Sequence, residues 1–123
     1  MVRDWTVIRD ILLRLEDSST PFTYINATNV PPHAEQDVAY HMVLLEDSDC
    51  IEAIYRKSST GDGRILGATA QRLTMKGHDL LDSIRNDTVW GKIREKFKSS
   101  KTEMTIDLVI GVAKKVGEEM LGL

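Results

Sequence analysis

A chain of 123 residues, 41% hydrophobic and 28% charged, has the size and composition of one globular domain that buries a core without disulfide or metal staples. No apolar run approaches the roughly 20 residues of a membrane span, and the start MVRDWTVIRD is too charged for a signal peptide. The lone Cys50 excludes an internal disulfide, so a reduced, cytoplasmic setting is the simplest reading.

The net charge of −3 conceals an asymmetry. Residues 1–55 carry 3 basic and 10 acidic side chains, whereas residues 56–101 carry 11 and 5. The densest basic run is Lys92, Arg94, Lys96, Lys98 and Lys101. Such a run is either a surface that attracts phosphate or a solvated helix face.

Trp5, Ile8, Ile11, Leu12 and Leu15 recur at helical spacing and predict an amphipathic helix over about residues 3–17. The run Ser18-Ser19-Thr20-Pro21 ends it, because proline lacks a backbone donor and disfavours helix just before itself. Residues 22–25 fit a short strand, and the proline-containing stretch 26–33 fits a loop. A second helix is expected from Pro32 or His33 to Glu46, with Val38, His41, Met42 and Leu45 inward. Gln36, Tyr40, Val43 and Asp47 fall on another face.

Residues 50–57 and 64–73 read as two strands joined by Ser58-Ser59-Thr60-Gly61-Asp62-Gly63, whose Gly and Asp tolerate the positive φ of a tight hairpin. Alternation is imperfect in both. Thr74 is placed to cap a third helix, in which Gly77 shares a face with Leu80, Leu81 and Ile84. A glycine on that stripe costs about 1 kcal/mol relative to alanine and implies close approach to another backbone. Asp87 is expected to cap a fourth helix, with Trp90, Ile93 and Phe97 inward and the lysines outward. Ser99 to Thr102 interrupts, and a fifth helix runs from about Glu103 to Met120. Its stripe is Ile106, Val109, Ile110, Ala113 and Val116, with Leu108 and Val112 forming a second.

The order helix, helix, two-stranded hairpin, helix is that of a winged helix: an α+β, mainly α fold with a hairpin wing and three additional C-terminal helices. The whole chain, 1–123, is expected to be a single domain with a core of 1–86 and a helical extension over 87–123. The short helix that normally precedes the recognition helix would fall in residues 26–32, which hold at most a turn.

Three stretches, VRDWTVIRDILLRLED, VAYHMVLLEDSDCIEA and RLTMKGHDLLDSIRNDTVW, together resemble a family of uncharacterised bacterial and prophage proteins, domain of unknown function 2513. The block from Gly77-His78 to Trp90 is the most specific part. LTMKG is similar to the Leu-Thr-x-x-Gly that follows the wing in many bacterial winged-helix regulators. The chain departs from the family pattern where Ser48-Asp49-Cys50-Ile51 replaces Ala-Gly-Leu-Ile, which removes a glycine from the turn after the second helix. The resemblance implies a winged-helix-like domain of phage or prophage origin and supplies no catalytic or ligand residues.

His33, His41, Cys50 and His78 match no metal-ligand spacing, so no metal or other cofactor is expected. No nucleophile, base and orienting group converge, so the chain reads as a non-enzymatic binding protein. If DNA is the partner, Arg56, Lys57, Arg64, Lys92, Lys96 and Lys98 are the phosphate contacts, with Gln36 and Tyr40 nearest the bases. Against DNA stand Glu35, Asp37, Glu46 and Asp47 on the supposed recognition helix, since a duplex groove repels carboxylates. The competing reading is a protein-interaction module, an adaptor or inhibitor of a host complex. Leu108 and Val112 suggest a homodimer through the fifth helix.

Overall fold

The computed structural model describes residues 1–17, 19–22 and 24–123; Ser18 of the expected helix terminator and Thr23 of the expected first strand lie outside the described residues. Among the described residues the chain is α+β and mainly α, with five α-helices and a three-stranded antiparallel sheet. It divides into two units, Met1–His78 and Asp79–Leu123.

In the first unit α1 spans Trp5–Glu16, and its N-cap Asp4 accepts a hydrogen bond from the Thr6 amide. Trp5, Val7, Ile8, Ile11, Leu12 and Leu15 are buried, which is the face expected from their spacing, widened by Val7. Strand β1 is only Ile25–Asn26, and a single 3-10 turn, Ala27–Asn29, follows it. Helix α2 spans Glu35–Asp47, with Val38, Ala39, His41, Met42 and Leu45 inward. Strands β2 (Ile51–Lys57) and β3 (Ile65–Leu73) form the hairpin. The strand order is β1-β3-β2, so β1 adds a third strand to the hairpin by pairing Ile25 with Ala70 and Asn26 with Thr69. A helix, a short strand pairing with the last strand, a helical turn, a helix and a hairpin make a winged-helix-like arrangement, with the turn at Ala27–Asn29 in place of the usual second helix.

The imperfect alternation of the hairpin has a structural cause. Register shifts fall between Glu52 and Ala53 and between Arg56 and Lys57, and each bulge exchanges the faces that following residues present. The wing tip closes with Ser58 donating its backbone N–H to the Arg64 carbonyl at 2.9 Å, while Gly61 and Gly63 take φ of 76° and 77°.

Between α2 and β2 the chain turns through a Schellman motif. The Asp49 N–H bonds the Glu46 carbonyl and the Cys50 N–H bonds the Leu45 carbonyl, with Asp49 at φ 63°. The turn thus forms with an aspartate held in the left-handed region that glycine favours. Helix α3 (Met75–Ile84) starts against this turn. Thr74 donates its N–H to the Cys50 carbonyl and its hydroxyl to the Asp49 carbonyl, and accepts the Gly77 N–H at 3.1 Å. A Cβ on Gly77 would lie 1.9 Å from the Cys50 carbonyl oxygen, so the close approach expected of this glycine is to the backbone of Cys50.

The unit boundary falls within α3. In the second unit α4 spans Asp87–Ser100 and α5 spans Ile106–Met120, and the two helices pack on each other. Leu80, Leu81, Ile84, Trp90, Ile93, Phe97, Val109, Ala113 and Val116 are buried. Two expectations are corrected. The cap of α4 is Asn86 and not Asp87: the Asn86 side chain accepts the Thr88 and Val89 amides, leaving Asp87 in the first turn, where its charge complements the helix dipole. Helix α5 begins at Ile106 and not near Glu103, because the Thr105 hydroxyl accepts the Leu108 amide and stops the helix there. The interruption at residues 99–102 is a second Schellman-type end, with Lys101 at φ 54°.

Candidate functional site

Arg56 and Lys57 at the end of β2, and Arg64 just before β3, are exposed and come together at the base of the wing. Nearer the tip, the Asp62 carboxylate accepts the Arg64 N–H at 3.0 Å. That bond holds the Asp62 carboxyl below its ordinary range, with the Ser58 and Thr60 hydroxyls and the Arg64 charge acting in the same direction. The wing is therefore a cationic hairpin with a fixed anion at its tip.

Gln36 faces this hairpin rather than solvent. Its Nε2 donates to the Ile65 carbonyl at 2.6 Å, and its Oε1 accepts the Ile65 N–H at 3.1 Å. A side-chain amide that pairs with both groups of one residue mimics a neighbouring strand, so Gln36 continues the ladder where β1 has ended. This engagement replaces the base-edge role expected for Gln36. Tyr40 is half-buried, with its ring edge-on to His41 at 5.6 Å between centroids. The outward positions of α2 include Glu35, Asp37 and Asp47, and its 13 residues hold no lysine or arginine.

The histidines are similarly committed. His41 is 2% exposed. Its Nδ1 donates to the Asp37 carbonyl at 2.6 Å, and its Nε2 accepts the Asp4 N–H at 2.7 Å. A carbonyl only accepts and an amide only donates, so these neighbours select the neutral Nδ1-H tautomer. The ring thereby ties the start of α1 to the first turn of α2. His33 bonds Asp10 of α1 at 2.6 Å. His78 is exposed and borders a hollow of about 590 Å³ with Phe22, Glu52 and Arg72. There Arg72 pairs with Glu52 at 2.7 Å, which draws the Glu52 carboxyl down and the guanidinium up. Cys50 is buried, and burial pushes its thiol up, which keeps it in the unreactive protonated form.

In the second unit Lys92 and Lys96, one turn apart, line a cleft of about 560 Å³ with Ser99, Ser100, Glu95 and Glu119. Lys98 does not join them: at about 100° per residue it lies on the far side of α4, on the stripe of Arg94. The Arg94 guanidinium sits 5.9 Å from the Trp90 ring centroid. On α5, Leu108 is exposed and Val112 half-exposed. The wing cations were legible as basic residues beside a glycine turn. The partners of Gln36, His41 and His33 were not, because they lie 23 to 37 residues away.

A family model described as "Hypothetical protein (DUF2513)" matches residues 2–103. The chain belongs to this family. An uncharacterized protein of Haemophilus influenzae is 36% identical over 121 residues, spanning 98% of this chain and 99% of its own. No solved structure matches the chain. Among the described residues no helix is long and apolar enough to cross a membrane.

Proposed function

We propose that this member of the family is a non-enzymatic binding protein whose winged-helix-like unit engages another protein rather than reading duplex DNA with α2. The observation that carries this reading is the chemistry of α2. At the position a winged helix uses for recognition stands a helix with four carboxylates, Glu35, Asp37, Glu46 and Asp47, and no cationic lysine or arginine. Binding to duplex DNA draws its strength from cations set against phosphates, and a helix of this charge in the groove would oppose it. Gln36, the residue best suited by type to a base edge, is occupied by β3. The prophage setting implied by the resemblance makes a host complex the natural source of the partner, with this protein as adaptor or inhibitor.

A second reading is supported by the wing alone: Arg56, Lys57 and Arg64 form a local cationic surface suited to phosphate. The two readings separate in one pair of measurements. Affinity capture from host lysate should retain a protein partner after nuclease treatment and lose it when Glu35 and Asp37 are replaced by lysine. If instead the protein binds duplex DNA at low salt, and Arg56, Lys57 and Arg64 removed together flatten the salt dependence, the DNA reading replaces the first. We also assign the exposed stripe of α5, Leu108 and Val112, to a homodimer contact.

A further inference from the structure

The strand order β1-β3-β2 leaves β2 at the edge of the sheet, and among the described residues no strand pairs with its outer side. Both register shifts place the extra residue, Gln71 or Leu66, in β3, so the seven residues of β2 keep a regular alternation. Glu52, Ile54 and Arg56 therefore share one face of the sheet, opposite to that of the buried Ile51. Ile54, at the centre of this edge, is 59% exposed.

The two ends of β2 fix which backbone groups face outward. The Cys50 carbonyl accepts the Thr74 N–H at 3.0 Å, and the Ser58 N–H donates to the Arg64 carbonyl at 2.9 Å. Successive residues of a strand turn these groups to opposite sides, so Glu52, Ile54 and Arg56 bond β3 in the same way. Ile51, Ala53, Tyr55 and Lys57 direct their N–H and C=O groups outward, an open template for one more strand.

We propose that β2 pairs antiparallel with β2 of a second copy, about a two-fold axis at Ile54, and so joins two sheets into one. This contact is separate from the α5 stripe. In this register each residue lies opposite the one equally distant on the other side of Ile54. Ala53 then faces Tyr55 of the second copy, and Ile51 faces its Lys57. These are the residues whose backbone groups point outward, and they form the hydrogen-bonded pairs.

Ile54 meets its own counterpart, and Glu52 meets Arg56 of the second copy, at the positions between those pairs, where side chains come closest. Glu52 engages Arg72 through Oε1 at 2.7 Å, which leaves Oε2 for the incoming guanidinium. An axis at Ala53 or Tyr55 would keep the backbone bonding but set Ile54 against Glu52 or Arg56. A second copy is the occupant this edge selects, because the strand is its own charge complement.

The test is sedimentation equilibrium of Leu108→Glu, which removes the α5 contact, with hydrogen exchange of the β2 amides. Circular dichroism shows that each variant keeps its fold. Leu108→Glu should still dimerise at about 100 μM. Its Ala53 and Tyr55 amides should exchange more slowly as the concentration rises. In that background Arg56→Glu and, separately, Glu52→Arg should each weaken the dimer at least about tenfold, since each sets like charges together twice per interface. Mixing the two should restore a heterodimer. A monomeric Leu108→Glu overturns the β2 pairing, whatever the mass of the wild type. A dimer whose Ala53 and Tyr55 amides ignore concentration, or whose charge variants do not complement one another, overturns it too.

Discussion

The two units of this chain spend their polar side chains differently. In Met1–His78 such groups join segments distant in sequence: Asp4 to His41, Asp10 to His33, Gln36 to Ile65, Asn26 to Thr69, Asp49 to Thr74. In Asp79–Leu123 the bonds Ser83 to Asp79, Arg85 to Asp82, Asn86 to Val89 and Thr105 to Leu108 join neighbours. A long-range bond fixes tertiary geometry, and where it is shielded from water, as at His41, its loss leaves a partner unsatisfied. A local cap mainly ends a helix, and water replaces it at moderate cost. The contrast teaches that α2 turns Gln36 and His41 inward and keeps Glu35, Asp37 and Asp47 outward, while the cations of α4 and the apolar stripe of α5 remain on the surface.

The comparison can be broken by substitution. The largest effect belongs to Gly77→Ala, because its Cβ would overlap the Cys50 carbonyl, a backbone atom that cannot swing aside. A loss of about 3 kcal/mol or more is expected, read from the denaturation midpoint. His41→Ala should cost about 2–4 kcal/mol, combining the cavity left by a buried ring with an Asp4 N–H deprived of its acceptor. Asn86→Ala in the second unit should cost only about 1 kcal/mol, the ordinary value of a helix cap. If it proves as damaging as His41→Ala, the distinction between the units fails.

Two smaller effects sharpen the picture. Asp49→Gly should stabilise the chain by about 0.5 kcal/mol, since glycine takes the φ of 63° without the steric cost borne by aspartate. A destabilised variant would show that the Asp49 side chain has a role that the backbone geometry does not require. The wing should respond to acid through Asp62. Its carboxyl is held below the ordinary aspartate range, so its contribution is fully present above the unfolded pKa and is lost as the pH falls through the lower folded one. Faster hydrogen exchange of the Arg64 amide on acidification, beyond the intrinsic trend and absent in Asp62→Asn, would report it.

Much of the element map was legible in the residues. The periodicity of Ile8, Ile11, Leu12 and Leu15, the Gly61-Asp62-Gly63 turn, the Thr74 cap and the glycine on the inner stripe of α3 are local signals, and each was met by the structure. The errors were also local. Two neighbouring polar residues competed for the α4 cap, and Asn86 holds it because its side-chain oxygen reaches two amides. Glu103 reads as a helix former, yet the helix starts only after Thr105. The candidate site was less legible. A Gln on an outward-looking position suggests contact with a ligand, and nothing near it in the sequence indicates that Ile65, 29 residues on, takes both ends of its amide.

By itself the sequence determined the kinds and order of the main helices and of the hairpin, which faces are apolar, and that the basic charge gathers in the middle third. Those properties follow from propensity, periodicity and capping, which act over a few residues. Only the tertiary structure decided that β1 completes a sheet with β3 and that Gly77 lies against Cys50. It also decided that Gln36 and His41 serve the fold, because hydrogen bonds between segments 29 and 37 residues apart exist only once the chain has closed on itself.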